Sequence, residues 1–290
     1  MSADSRRLDV RKTYKLFVGG TFPRSESGRT YVVEDTKGRF AANAALASRK
    51  DARDAVVAAR KAFPGWSGRT AYNRGQVVYR VAEMLEGRHA QLADEVQRFE
   101  GLSARRAAEV VSAAVDRLVW YAGWADKVAQ LLGSSNPVAG PFFDFTVAEP
   151  TGVVAVVAPQ ESSLLGLVGV VAPAVVTGNT VVVLASQHRP VPAVTFAEVV
   201  ATSDVPAGVV NVLTGRVAEV APWLASHMDV NAIDLAGVDE PPLAAELEVA
   251  SADNLKRVLR PRAESWHDAP DVSRMVWALE TKTVWHPIGT

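Results

Sequence analysis

The apolar and polar positions fall into stretches of different rhythm. Between residues 15 and 46 the apolar runs are short. Lys15-Leu-Phe-Val-Gly-Gly20, Tyr31-Val-Val-Glu34 and Ala42-Asn-Ala44, separated by Gly28, Asp35 and Gly38, predict strands and turns. The period then becomes helical. Ser48 is a good N-cap with Asp51 in the first turn, and Ala52, Ala55, Val56, Ala59 and Phe63 share one face. Pro64-Gly65 predicts the end of that helix. Further helices are predicted from about Thr70 to Leu85, Ala90 to Phe99 and Ala104 to Leu131. The last carries Trp120, Tyr121 and Trp124 at a spacing that points to core. Gly133 to Pro137 reads as a connection, and Pro141 to Ala148 as a strand.

From Gly152 the rhythm changes again. Val153 to Ala158, Thr180 to Ala185, Val209 to Leu213 and Asn231 to Leu235 are strands that are largely apolar. They alternate with helices at Leu164 to Val176, Pro192 to Ala201, Val217 to Ser226 and Leu243 to Asn254. Strands of this kind lie in a parallel sheet covered on both faces. Right-handed crossovers make it doubly wound, with ligands bound where the strand order reverses. No Gly-x-Gly-x-x-Gly loop follows any strand. The last stretch is mixed. Arg260 to Asp271 is charged and proline-bearing and suggests a linker. Val272 to Leu279 is a short strand or helix, and Thr281 to Trp285 is a strand.

Composition narrows the chemistry. In 290 residues, 31 basic and 32 acidic side chains leave a net charge of -1, which offers no footprint for nucleic acid or an anionic membrane. There is no cysteine, so disulfides, thiolate metal sites and a cysteine nucleophile are excluded. Met1 to Tyr14 has no apolar segment of the signal-peptide kind, and a cytoplasmic location is expected. Ser162 to His188 is long enough to span a bilayer. Pro173 and Gly178-Asn179 divide it, so a buried helix, a turn and a strand are expected instead. The five histidines are scattered without ligand spacing, and no metal is expected. Glu161 with Ser162 and Ser163 has no base histidine in a recognisable motif. The clusters Arg105-Arg106 and Arg257 to Arg262 read as solvated faces.

The wording of these segments resembles the aldehyde dehydrogenase superfamily. Leu16-Phe-Val-Gly-Gly20, Ser27-Gly-Arg-Thr30 and Ala55 to Phe63 with Trp66 are similar to its N-terminal region. Ala114-Val-Asp-Arg-Leu118 with Tyr121-Ala-Gly-Trp-Ala-Asp126 is similar to its long helix. Glu149-Pro-Thr-Gly-Val-Val154, Ala172-Pro-Ala174, Gly178-Asn-Thr-Val-Val182, Pro206-Ala-Gly-Val-Val-Asn211 and Asn254-Leu-Lys-Arg-Val258 follow in order. The resemblance covers residues 15 to 258 and roughly the last ten. It implies an α/β fold: a doubly wound parallel sheet of the cofactor-domain type, N-terminal helices and a small β oligomerisation element. Residues 1–137 and 150–260 form the cofactor-type domain. On the same resemblance, residues 138–149 and 272–290 would supply oligomerisation strands, and 261–271 would be a linker in place of the family's catalytic domain.

The departures from the family pattern imply an inactive homologue. Its thiol nucleophile has no counterpart here. Pro261 stands at the general-base glutamate, and Glu161 at the oxyanion asparagine of a motif that here reads Pro159-Gln-Glu-Ser-Ser163. Leu184 replaces the lysine that holds the adenosine ribose. In the phosphate turn, Gly237 is kept, Val238 replaces serine and Pro242 replaces the second glycine, with Asp239 and Glu240 between. No catalytic residue and no cofactor are expected, with weak NAD(P) binding left open at a vestigial cleft of Pro159, Gln160, Glu161, Leu184, Gly237 and Val238. The expected role is a structural or regulatory subunit, a homo-oligomer or an assembly with a full-length aldehyde dehydrogenase. Phe143, Phe145 and Val147 with Thr281, Lys282, Thr283, Val284 and Trp285 would form the contact. Loss of a domain should also leave apolar surface bare. Two alternatives stay open: a nucleotide or metabolite module using the altered cleft, and an NAD-dependent aldehyde oxidoreductase whose partner supplies the cysteine and glutamate.

Overall fold

In a computed structural model the described residues are 12–289. The signal-peptide reading of residues 1 to 14 therefore lies mostly outside them, as does Thr290. The chain opens with β1 (Thr13–Tyr14), β2 (Thr30–Glu34) and β3 (Phe40–Ala45), which form one small sheet in the order β1-β3-β2. Helices α1 (Arg49–Ser67), α2 (Ala71–Glu86), α3 (His89–Glu100), α4 (Ala104–Trp124) and α5 (Val128–Leu132) follow, then β4 (Ser134–Asn136) and β5 (Phe142–Pro150). The alternating half runs β6 (Val153–Val157), α6 (Leu165–Val176), β7 (Thr180–Leu184), α7 (Val191–Ala201), β8 (Val210–Leu213), α8 (Val217–Ala225), β9 (Ala232–Asp234), α9 (Pro241–Ala252) and β10 (Arg257–Leu259). The chain closes with α10 (Ser273–Trp277) and β11 (Leu279–Pro287).

The central sheet is parallel, in the order β10-β9-β6-β7-β8, so the direction of winding reverses between β6 and β9. Alternate side chains of its strands feed two cores. Val154, Val156, Val181 and Val183 face α6, α7, α2 and α4. Val153, Ala155, Val157, Val182 and Leu184 face α1, α8 and α9. This arrangement is why the strands are apolar on both sides. The segment examined for membrane insertion is α6, a turn at Gly178 (φ +101°) and β7. Among the described residues no helix is long and apolar enough to cross a membrane.

Several local expectations are corrected. No ladder forms over Lys15 to Gly20. Phe17 alone exchanges main-chain bonds with Val212, at 2.8 and 2.7 Å, and a turn follows at once. Pro64-Gly65 does not stop α1, which continues to Ser67. Trp66 is fully buried in that last turn and donates its indole N–H to Val175 O at 2.9 Å, which outweighs the amide lost at Pro64. The helix predicted from Ala104 to Leu131 breaks after Trp124. Here α2 packs so closely that a Cβ on Gly75 would lie 2.9 Å from Ala122 O. The Ala125 and Lys127 amides bond only three residues back. Gly133 to Pro137 is not a bare connection. Its β4 pairs with β5 through polar groups, Asn136 Nδ2 donating to Asp144 Oδ1 at 2.6 Å and Thr146 Oγ1 at 2.8 Å.

The start of α1 is tied to the loop that precedes the small sheet's second strand. Asp51 accepts from Ser48 N at 2.8 Å, Ser25 Oγ at 2.7 Å and Glu26 N at 3.0 Å, completing a capping box and pinning the preceding loop. Asp51→Ala removes the capping box and the acceptor of the Ser25, Glu26 and Ser48 donors and is expected to cost about 1–2 kcal/mol, read as a lower urea midpoint.

The segment expected as a linker is anchored. Arg117 Nη2 donates to the carbonyls of Trp266 and Asp268, both at 2.7 Å. The Trp266 ring lies on α6, where a Cβ on Gly169 would meet it at 2.9 Å. Met275 and Ala278 are buried in the same core. The apolar face of α6 is thus covered by the chain's own residues 266–278. Asn179 fastens the end of this cover, donating from Nδ2 to Ala278 O and accepting from Gly152 N, both at 2.8 Å.

Candidate functional site

The switch point lies at the carboxyl ends of β6 and β9, and four of the six cleft residues meet there. Gln160 follows buried Pro159 and crosses the strand ends. Its Nε2 donates to Ala158 O at 2.8 Å, and its Oε1 accepts from Gln187 N at 3.0 Å; Gln187 Oε1 in turn accepts from Val217 N at 3.2 Å. Ser186 Oγ donates to the Gln160 carbonyl at 2.8 Å. Two amide side chains in series, Gln160 and Gln187, therefore tie together the end of β6, the turn after β7 and the start of α8.

Gly237 sits directly against this group. Its N–H donates to Val157 O at 2.9 Å. A Cβ there would lie 1.8 Å from Ala158 O and 3.0 Å from Gln160 Nε2. Packing between adjacent strand ends is enough to require glycine, without a phosphate. Val238 is buried in the core on the α1 side. Leu184, the last residue of β7, also turns its side chain into that core and is fully buried. Glu161 is exposed, and its carbonyl accepts from the Arg189 guanidinium. The neighbouring serines have structural partners. Ser162 Oγ accepts from Gly166 N at 2.8 Å, and Ser163 donates from N and Oγ to Glu100 Oε1, each at 2.7 Å.

The helix start beyond β9 is the usual place for a pyrophosphate, because its free amides point at the ligand. Here α9 begins with Pro241 and Pro242, which carry no amide hydrogen, preceded by exposed Asp239 and Glu240. A groove of about 590 Å³ opens past Gln187, lined by Tyr31, Phe99, His188, Arg189 and Arg216. Arg216 is engaged there by Glu219 at 3.6 Å.

Sequence reasoning missed a buried charge cluster beside the switch point. Asp234 ends β9, and the Arg274 guanidinium pairs with its carboxylate and with Glu264. Arg274 also lies over the Trp266 ring, 5.0 Å from its centre. Burial pushes the Asp234 carboxyl above its ordinary value, against the opposing charge of Arg274. Burial also works against the Arg274 charge, but Asp234 and Glu264 outweigh it and raise its pKa. A charge within the apolar run Asn231 to Leu235 was the available signal, since such a group needs a buried partner.

The eight predicted assembly residues fall on β5 and β11, which pair antiparallel along their whole length. Phe145 is opposite Val284, Val147 opposite Lys282, Thr146 opposite Thr283 and Asp144 opposite Trp285. Phe143 and Phe145 stack at 5.4 Å on one face, and Phe142 meets Trp285 edge-on at 5.6 Å on the other. Phe143 is 49% and Trp285 58% exposed, so both faces of this thin sheet carry aromatic surface in water. Thr281 is opposite Ala148.

Residues 22–260 match the model of the Aldehyde dehydrogenase family. The chain belongs to the aldehyde dehydrogenase family. Retinal dehydrogenase 2 of Gallus gallus is 34% identical over 256 residues, which are 87% of this chain and 48% of that protein. The cytosolic 10-formyltetrahydrofolate dehydrogenase of Mus musculus is 32% identical over 247 residues, 81% of this chain and 27% of that protein. The crystal structure of PnpE in complex with nicotinamide adenine dinucleotide has a TM-score of 0.80 at 30% identity, covering 84% of this chain and 50% of that one. The five-stranded parallel sheet with its helices matches in fold the cofactor-binding domain of aldehyde dehydrogenases. This chain spans about half the length of Retinal dehydrogenase 2, and residues 261–289 lie beyond the family match.

Proposed function

We propose that this aldehyde dehydrogenase homologue is a non-catalytic subunit that keeps the cofactor-domain scaffold for assembly. The start of α9 carries the reading. Pro241 and Pro242 remove amides from the place where a pyrophosphate needs them, and Asp239 and Glu240 add negative charge. The other groups agree. Leu184 has no polar atom to offer a ribose and is sealed in the core, and Gln160 fills the strand ends with internal hydrogen bonds. These residues do not fit a dinucleotide. With no cysteine in the sequence, the chain also lacks a thiolate to attack an aldehyde.

The assembly role rests on β5 and β11, whose aromatic faces have no cover within the described residues. The purified chain, supplied with NAD or NADP and short and long aldehydes, is expected to reduce no cofactor above the buffer rate. Turnover by the isolated chain would overturn this reading.

A further inference from the structure

β11 is an open sheet edge. The order is β11-β5-β4, so β5 takes the inner side of β11, and among the described residues no strand lies on its outer side. The Thr151 amide donates to Ala278 O, and the Ile288 amide to Pro141 O. Hydrogen-bonded pairs alternate along an antiparallel ladder, so even-numbered residues of β11 turn their main-chain groups toward β5. Thr281, Thr283 and Trp285 therefore present N–H and C=O to the open side. Pro287 presents only a carbonyl. Lysine on an edge usually discourages pairing, but the Lys282 ammonium is already engaged by Glu149 on β5.

We propose that a second copy of this chain occupies this edge, the two β11 strands running antiparallel about Thr283. The proposal rests on the assembly reading above and names its partner. Charge and register select the arrangement. With Thr283 opposite Thr283, Thr281 faces Trp285 of the second copy, and every outward amide of the three residues gains an acceptor. Lys282 then faces Val284, and Glu280 faces His286, so no like charges meet. Sliding two residues one way sets Lys282 against Lys282. Sliding the other way sets Thr281 against Pro287, which has no amide to donate. The product is one continuous sheet, β4-β5-β11-β11-β5-β4. Val284 of each copy lies beside the other's Lys282 stem, and the Phe145 rings flank them on the same face.

Single cysteines read the register cleanly, because the sequence contains none. Residues opposite each other in such a pair have Cα atoms about 5.5 Å apart, within disulfide reach. Sedimentation equilibrium of the full chain is expected to give twice its 31.0 kDa mass. Thr283→Cys is expected to cross-link to a dimer under mild oxidation, whereas Lys282→Cys and Val284→Cys stay largely single. Thr283→Pro removes an outward amide and the exposed hydroxyl contact to Thr146, keeps the ladder bonds to β5, and is expected to give a monomer with unchanged circular dichroism. A dimer that Thr283→Cys does not cross-link and Thr283→Pro leaves intact overturns the edge pairing but spares the assembly reading. A monomeric wild-type chain overturns the edge pairing, and overturns the assembly reading too if it also forms no complex with a full-length aldehyde dehydrogenase. Dehydrogenase turnover by the cross-linked dimer would overturn the non-catalytic reading alone.

Discussion

Arg274→Ala is expected to lower stability by about 3–5 kcal/mol, because it breaks a buried ion pair and leaves the other charge behind. Arg274 and Asp234 are 6% and 2% exposed, and Asp234 keeps only the Ala236 amide, at 3.0 Å, once the guanidinium is gone. Arg274 also holds Glu264, so the 261–271 segment loses its anchor on the sheet. The deficit has a definite pH dependence. Burial already raises the Asp234 carboxyl, and loss of Arg274 removes the opposing charge. The folded variant then binds more protons than the unfolded chain, so its stability falls as pH rises through the ordinary carboxylate range and above. Urea unfolding at pH 5 and pH 8 checks both size and sign. Paired replacement, Asp234→Leu with Arg274→Met, removes both charges together and is expected to recover most of the loss. A single-variant cost under about 1 kcal/mol would show that the cluster carries little.

The parallel sheet was legible because its strands are buried on both faces, so Val153 to Val157 and Thr180 to Leu184 read as unbroken apolar runs. What escaped depended on groups without a periodic signature. β4 is held by Asn136 reaching Asp144 and Thr146, which no hydropathy pattern records. The break after Trp124 lies where Gly75 of α2 packs against Ala122, a contact between elements far apart in sequence. Pro64 reads locally as a stop, and only the buried seat of Trp66 shows why α1 continues. At the site, the substitutions at Leu184, Val238 and Pro242 were visible as letters. That Gln160 and Gln187 link three elements in series was not, since Gln160 bonds the main chain of Ala158 and Gln187, and the Gln187 side chain bonds Val217. The 261–271 segment looked like a linker because Trp266 and Glu264 are isolated among charges and prolines. Their partners, Gly169, Arg117 and Arg274, are supplied by other parts of the fold.

The non-catalytic reading depends most on whether the strand ends accept a dinucleotide. A chain of this size gains about 2.7 kcal/mol from a ligand at 100 times its Kd. That gain corresponds to a rise of roughly 5–10 °C in melting temperature. The direct measurement is therefore a thermal melt of the purified chain across an NAD series, with calorimetric titration at the highest concentration. The account predicts no shift and no heat at millimolar NAD, because Pro241 and Pro242 withhold the helix amides and Gln160 fills the strand ends. Saturable binding near one NAD per chain, with a shift of several degrees, would contradict it.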